Sequence, residues 1–190
     1  MIKHLFKRKY RTQTIKLFDG VIDWKGFDKR LHEVAEELQQ IVGRDYLDTL
    51  GDGFELFIEG FIQLTENDNR FGISNYIPVQ SKDDYGVDGY GTNIKGEKCA
   101  IQIKYRKNPT KLLTAQKDGL DSMVTEALHE GVLFGKGNNY RHFIFTSAKG
   151  LNNKTSDNKF RNKVKDFGIN DIKTIVDNNP NFWNNIRKLI

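Results

Sequence analysis

The residues best suited to chemistry in this chain are a carboxylate, an amide and an ammonium grouped around one predicted hairpin: Asp88, Gln102 and Lys104. Gln102 and Lys104 are two apart in an apolar run, residues 98–105 (KCAIQIKY). On a strand they share one face, while Ile101 and Ile103 take the other. Asp88 lies in a Gly-rich run, residues 86–94 (GVDGYGTNI), and Lys95-Gly96-Glu97 turns that run back onto its neighbour. A carboxylate and an amide oxygen brought together can hold Mg²⁺ directly or through its waters. A neighbouring ammonium can orient and help deprotonate an attacking water, or neutralise an attacked phosphate. Gly86, Gly89 and Gly91 leave room for a nucleic-acid backbone to come close.

These residues need elements to position them. Apolar residues from Leu31 to Val42 recur at spacings of three and four, which predicts an amphipathic helix over 27–42, with Asp28 as N-cap and Gly43 as its stop. A second helix over 53–64 has apolar residues around most of its circumference, so it is expected to be deeply packed. It carries Glu55 and Glu59 at i and i+4, on one face. Carboxylates on such a helix need a partner; reaching a metal would provide one, and emerging at a solvent edge is the alternative. Residues 73–80 read as a strand, with Pro78 arguing for an edge. A helix is expected over 112–133, a strand over 141–147, a basic helix over 155–167, a last strand over 169–176 and a closing helix over 180–190. The first 25 residues read as an arm with short β-like pieces. The fold class is α/β, a central mixed sheet flanked by helices. The chain divides into an N-terminal extension, residues 1–50 (basic arm plus helix), and a domain over 51–190.

Composition narrows the functional classes. The 190 residues carry a net charge of +5, with mean hydropathy −0.62. No apolar run approaches the roughly 20 residues of a membrane span, so no membrane partner is expected. Residues 1–16 hold six Lys/Arg and no acid, and the remainder is net −1. Between Asp45 and Asp84 nine acids face two bases, while Lys136 to Lys165 holds eight bases and one acid. An acidic focus beside basic segments suits a metal site that handles a polyanion, although solvated surface charge accounts for most such runs. A single cysteine, Cys99, excludes a disulfide framework or a multi-Cys zinc cage and suits a reducing cytoplasm. The chain has no P-loop, and its four histidines show no i, i+4 pair.

Three stretches together carry a resemblance: Phe54-Glu55; Tyr85-Gly86-Val87-Asp88-Gly89; and Ile101-Gln102-Ile103-Lys104-Tyr105. A downstream run from His142 to Ser147 ends in Thr-Ser. Over about residues 50–180 the chain resembles the Mrr-like branch of the PD-(D/E)XK nuclease superfamily, in which glutamine replaces the usual second acid. The resemblance implies a restriction-endonuclease-like core and a DNA endonuclease that hydrolyses phosphodiester bonds through metal-activated water. Its cofactor would be Mg²⁺, with Mn²⁺ as a substitute. Asp88 would be the central metal ligand, Gln102 and the Ile103 carbonyl would line the metal site, Lys104 would position or activate water, and Glu55 would complete the outer shell. Asp84 is a candidate extra ligand. The setting implied is the cytoplasm of a prokaryotic or phage-infected cell.

Partners expected on this reading are DNA, a second copy of the chain so that both strands are cut, and a helicase or restriction-system partner. Candidate phosphate contacts are Lys7, Arg8, Lys9, Arg106, Lys107, Lys111, Lys149, Lys154, Lys159, Arg161 and Lys163. The rival readings are a non-catalytic DNA-binding or assembly module, a branched-DNA resolvase, and the nuclease domain of a larger assembly.

Overall fold

A computed structural model of the chain describes all residues except 67–70, 80–85, 136–138, 153–159 and 161. It is a mixed α/β protein with a five-strand mixed sheet and flanking helices. The chain forms two compact units: residues 1–64 together with 171–190, and residues 65–170. The expected boundary at residue 50 falls inside a helix over residues 46–65, and the structure instead groups residues 1–64 with the C-terminal residues.

The first unit is helical. α1 (Leu5–Lys9) and α2 (Arg11–Phe18) replace the expected β-like arm. Thr14, Leu17 and Phe18 are buried at helical spacing, a pattern that the surrounding basic residues mask in the sequence. α3 (Trp24–Val42) starts one turn earlier than expected, because the Asp23 carboxylate, rather than Asp28, accepts the Gly26 N–H at 2.7 Å. It stops at Gly43 in the left-handed conformation, φ 64°, as expected. α4 (Tyr46–Thr65) contains Glu55 and Glu59. Phe27, Phe57 and Trp183 stack at its centre, with Phe27 and Phe57 ring centroids 4.6 Å apart.

The C-terminal residues complete this unit. α6 (Ile169–Asn178) is a helix where the sequence suggests a strand. Its buried Ile169, Ile172, Ile175 and Val176 recur with helical rather than twofold period. α7 (Phe182–Leu189) buries Phe182, Trp183 and Ile186. Arg187 at its end donates to the carbonyls of Phe18 and Val21, and the Ile2 N–H donates to the Leu189 carbonyl at 3.1 Å.

The second unit holds the sheet, in the order β1 (Ile73–Pro78), β2 (Gly89–Asn93), β3 (Lys98–Lys104), β5 (His142–Thr146), β7 (Lys165–Phe167). β1, β2 and β3 are antiparallel neighbours, and β5 and β7 continue in parallel. On one face Ala100 and Ile144 pack against α5 (Leu120–His129) through Leu120, Met123 and Ala127. Phe71, Phe145 and Phe167 form a separate aromatic cluster. The helix expected over 112–133 is shortened, because Leu112–Leu113 forms β4 and pairs in parallel with β6 (Gly150–Leu151). The expected basic helix over 155–167 lies largely outside the described residues, and its end is strand β7.

Candidate functional site

The hairpin is built as its sequence suggests. β2 and β3 pair through Gly89↔Ile101, Tyr90↔Ala100 and Gly91↔Cys99. Asn93 locks the turn, its side-chain oxygen accepting the N–H groups of Lys95 and Glu97. Gly89 cannot carry a side chain, because a Cβ would sit 2.3 Å from the Tyr76 ring.

Asp88 precedes β2 and is half-buried. Its N–H donates to the Ile101 carbonyl at 2.9 Å, and its carbonyl accepts from Val79 N–H and the Tyr76 hydroxyl. Its carboxylate reaches across the hairpin and accepts the Ile103 N–H. Gln102 stands between Ile101 and Ile103 on β3, paired with Ile144, and is wholly buried. Among the described residues neither its amide oxygen nor its amide nitrogen has a hydrogen-bond partner. Leaving both unmade costs on the order of 1–3 kcal/mol per group, so the residue sits where stability alone would not place it. Lys104 ends β3, half-buried and two residues from Gln102.

The four residues Asp88, Gln102, Ile103 and Lys104 therefore gather at the carboxyl ends of parallel strands β3 and β5, where open α/β sheets bind ligands. The segments leaving these strands run side by side. Ser147 N–H and the Thr146 hydroxyl donate to the Lys104 carbonyl, and Lys149 N–H to that of Lys111. Lys107, Lys111 and Lys149 are exposed along them.

Other expected residues have local duties. Arg106 donates through Nε and Nη2 to Asp118, whose other oxygen accepts the Thr114 N–H. Burial opposes ionisation of Asp118, but the Thr114 N–H and the Arg106 guanidinium hold it below the usual carboxylate range. Lys7 donates to the carbonyls of Ile2 and Leu189, and burial lowers its pKa. Arg8 and Lys9 are exposed. Lys154, Lys159, Arg161 and Asp84 lie outside the described residues.

Glu55 belongs to the first unit, where its carboxylate lies 3.1 Å from His4 Nε2. Because His4 Nδ1 accepts the Phe6 N–H, Nε2 carries the proton and donates to Glu55. Glu59 is wholly buried and accepts the N–H groups of Lys3 at 2.6 Å and His4 at 2.9 Å. Burial raises its pKa against the pull of those two bonds. The sequence gives no sign of His4, which meets α4 through a separation of 51 residues.

Among the described residues no group of three or more His, Cys, Asp or Glu is placed to hold a metal. The donors on the hairpin are instead one carboxylate, one amide oxygen and a backbone carbonyl. All are hard oxygens of the kind Mg²⁺ takes, and the unpartnered Gln102 oxygen is a vacant donor of that type. Comparison with family models, curated proteins and solved structures finds no match.

Proposed function

We propose that the chain is a metal-dependent DNA endonuclease working at the Asp88–Gln102–Lys104 hairpin. The observation that carries this reading is the buried Gln102 amide, left without partners on the strand that also carries Lys104, opposite Asp88. The order of elements supports it too: a carboxylate-bearing helix, an antiparallel hairpin, then a helix and a strand parallel to β3. The exposed Lys107, Lys111 and Lys149 beyond the strand ends suit a phosphate backbone.

Asp88, Gln102 and the Ile103 carbonyl would hold Mg²⁺ or Mn²⁺, which when bound supplies positive charge at the attacked phosphate and acidifies water. Asp88 provides the negative charge, and its bond to Ile103 N–H holds the carboxylate on β3. Gln102 adds an oxygen without adding charge. Lys104 holds an ammonium at the strand end, where it orients a water for attack or balances charge developing on the phosphate. Hydrolysis is then a single displacement at phosphorus, with no covalent enzyme intermediate. Glu55 is left out of this core set because it is engaged by His4.

The test is cleavage of supercoiled plasmid with Mg²⁺, Mn²⁺ or EDTA, comparing the wild type with Lys104→Ala. Metal-dependent nicking or linearisation that disappears in the variant supports the reading. DNA binding without cleavage under any metal favours the non-catalytic module, a reading consistent with the complete burial of Gln102.

A further inference from the structure

β4 and β6 form a two-strand ladder beyond β3 and β5, pairing Leu112 with Gly150 and Leu113 with Leu151. A lysine immediately precedes each strand. Lys111 and Lys149 are backbone neighbours, because the Lys149 N–H donates to the Lys111 carbonyl at 3.0 Å. Both residues are exposed, and among the described residues neither ammonium has an ion pair or a hydrogen-bond acceptor. The acids beside the ladder are engaged elsewhere. Asp118, whose carboxylate feels the Lys111 charge, is taken by Arg106 and the Thr114 N–H, and Asp166 accepts the Leu151 N–H at 2.7 Å. Like charges on neighbouring strands repel, so stability does not account for the pair.

An independent observation concerns the backbone beneath them, which is held more closely than a solvated side chain requires. At Gly150, φ +127°, a Cβ would lie 2.6 Å from the Asp166 carboxylate. A Cβ on Gly168 would lie 2.3 Å from the Lys149 carbonyl oxygen. The Ala148 carbonyl accepts the Ile169 N–H at 2.8 Å. On the other strand the Lys111 N–H donates to the Asn108 carbonyl, and the Asn108 side chain accepts the Thr110 N–H and hydroxyl. Each lysine therefore rises from a fixed backbone, as a group that must meet a ligand in one place does.

The pair also stands close to the hairpin site. Ser147 N–H donates to the Lys104 carbonyl at 3.2 Å, and Lys149 follows two residues later, a reach of at most about 7 Å of chain. We infer that Lys111 and Lys149 clamp one phosphate of a DNA backbone, close to the phosphate presented to Lys104. This deepens the nuclease reading and rests on it. Both ammoniums donate to the non-bridging oxygens of the same phosphodiester, and the anion between them replaces their repulsion by two attractions. Such a contact fixes the position of the strand over the hairpin without reading its bases.

The test uses a short fluorescein-labelled DNA duplex, bound in EDTA so that no metal or turnover enters, with anisotropy read at several salt concentrations. Lys111→Gln and Lys149→Gln should each weaken binding about fivefold and flatten its salt dependence. The double variant should lose about as much as either single one, because both ammoniums hold one phosphate. Lys25→Gln, the same loss of charge at an exposed position on α3, should bind as the wild type does. Losses that multiply in the double variant, an equal loss in Lys25→Gln, or no duplex binding by the wild type overturns the clamp. Plasmid cleavage by the wild type is measured alongside. Cleavage together with unaltered binding in the Lys111 and Lys149 variants rejects the clamp and keeps the nuclease; the clamp pattern without cleavage under any metal keeps the clamp and rejects the nuclease.

Discussion

The Asp88 carboxylate accepts the backbone N–H of Ile103, joining the two strands of the hairpin by a side chain as well as by the ladder. The acid is thereby tied to the backbone between Gln102 and Lys104. Any motion of β3 at this point carries the carboxylate with it, so the spacing of the three groups is set by one strand rather than by two.

That bond shapes the choice of variant. Asp88→Ala would leave the Ile103 N–H without its acceptor, at a cost of about 1–3 kcal/mol. Asp88→Asn keeps an oxygen for it and removes only the charge. On the nuclease reading Asp88→Asn and Lys104→Ala both lose cleavage, while their circular dichroism and melting temperatures stay close to those of the wild type. Full plasmid cleavage by either variant would remove that residue from the proposed mechanism.

Gln102 offers a sharper signature. Replacing a buried amide that has no partners by an apolar residue of similar size removes an unpaid desolvation cost. Gln102→Leu is expected to gain about 1–3 kcal/mol of stability in urea unfolding and to lose cleavage. A destabilised Gln102→Leu protein would mean that the amide is satisfied in solution.

His142 predicts an acid-sensitive fold. It is wholly buried on β5 beside Phe134, and among the described residues neither ring nitrogen has a hydrogen-bond partner. Burial first, then the Arg141 and Lys163 charges, push its pKa down from 6.5 to about 4. Between these values the unfolded chain binds more protons than the folded one, so stability is full above pH 6.5 and falls as pH drops toward 4. The slope contributed approaches about 1.4 kcal/mol per pH unit. Denaturant midpoints measured across this range should flatten in His142→Phe; an unchanged slope would assign the acid sensitivity to other groups.

Cys99 is buried within β3, and burial pushes its thiol up to about 12. A chromogenic disulfide reagent at neutral pH should leave the native protein unlabelled and modify one thiol per chain after unfolding in urea. Rapid labelling of the native protein would show that β3 opens readily.

The parts of this structure legible in the sequence are those specified by nearby residues. The hairpin could be read because its alternation, its Gly-rich run and its turn lie within 20 consecutive residues, and that alone put Asp88 opposite Gln102 and Lys104. α3 could be read from its period and from Gly43. What escaped depends on distant contacts. α1 and α2 are short and basic, and their apolar residues make sense only against the partners that bury them. β4 forms because Leu112 finds Gly150. The engagement of Arg106 by Asp118, of Glu55 by His4, and the isolation of the Gln102 amide are likewise set by tertiary neighbours, and no local pattern announces them.

The helical unit draws on both ends of the chain: α7 seals it through Trp183 and Arg187, and the Ile2 N–H meets the Leu189 carbonyl. A ribosome delivers residues 65–170 before the last twenty exist. During synthesis Phe27 and Phe57 therefore lack their Trp183 partner until residues that follow the whole sheet have been made.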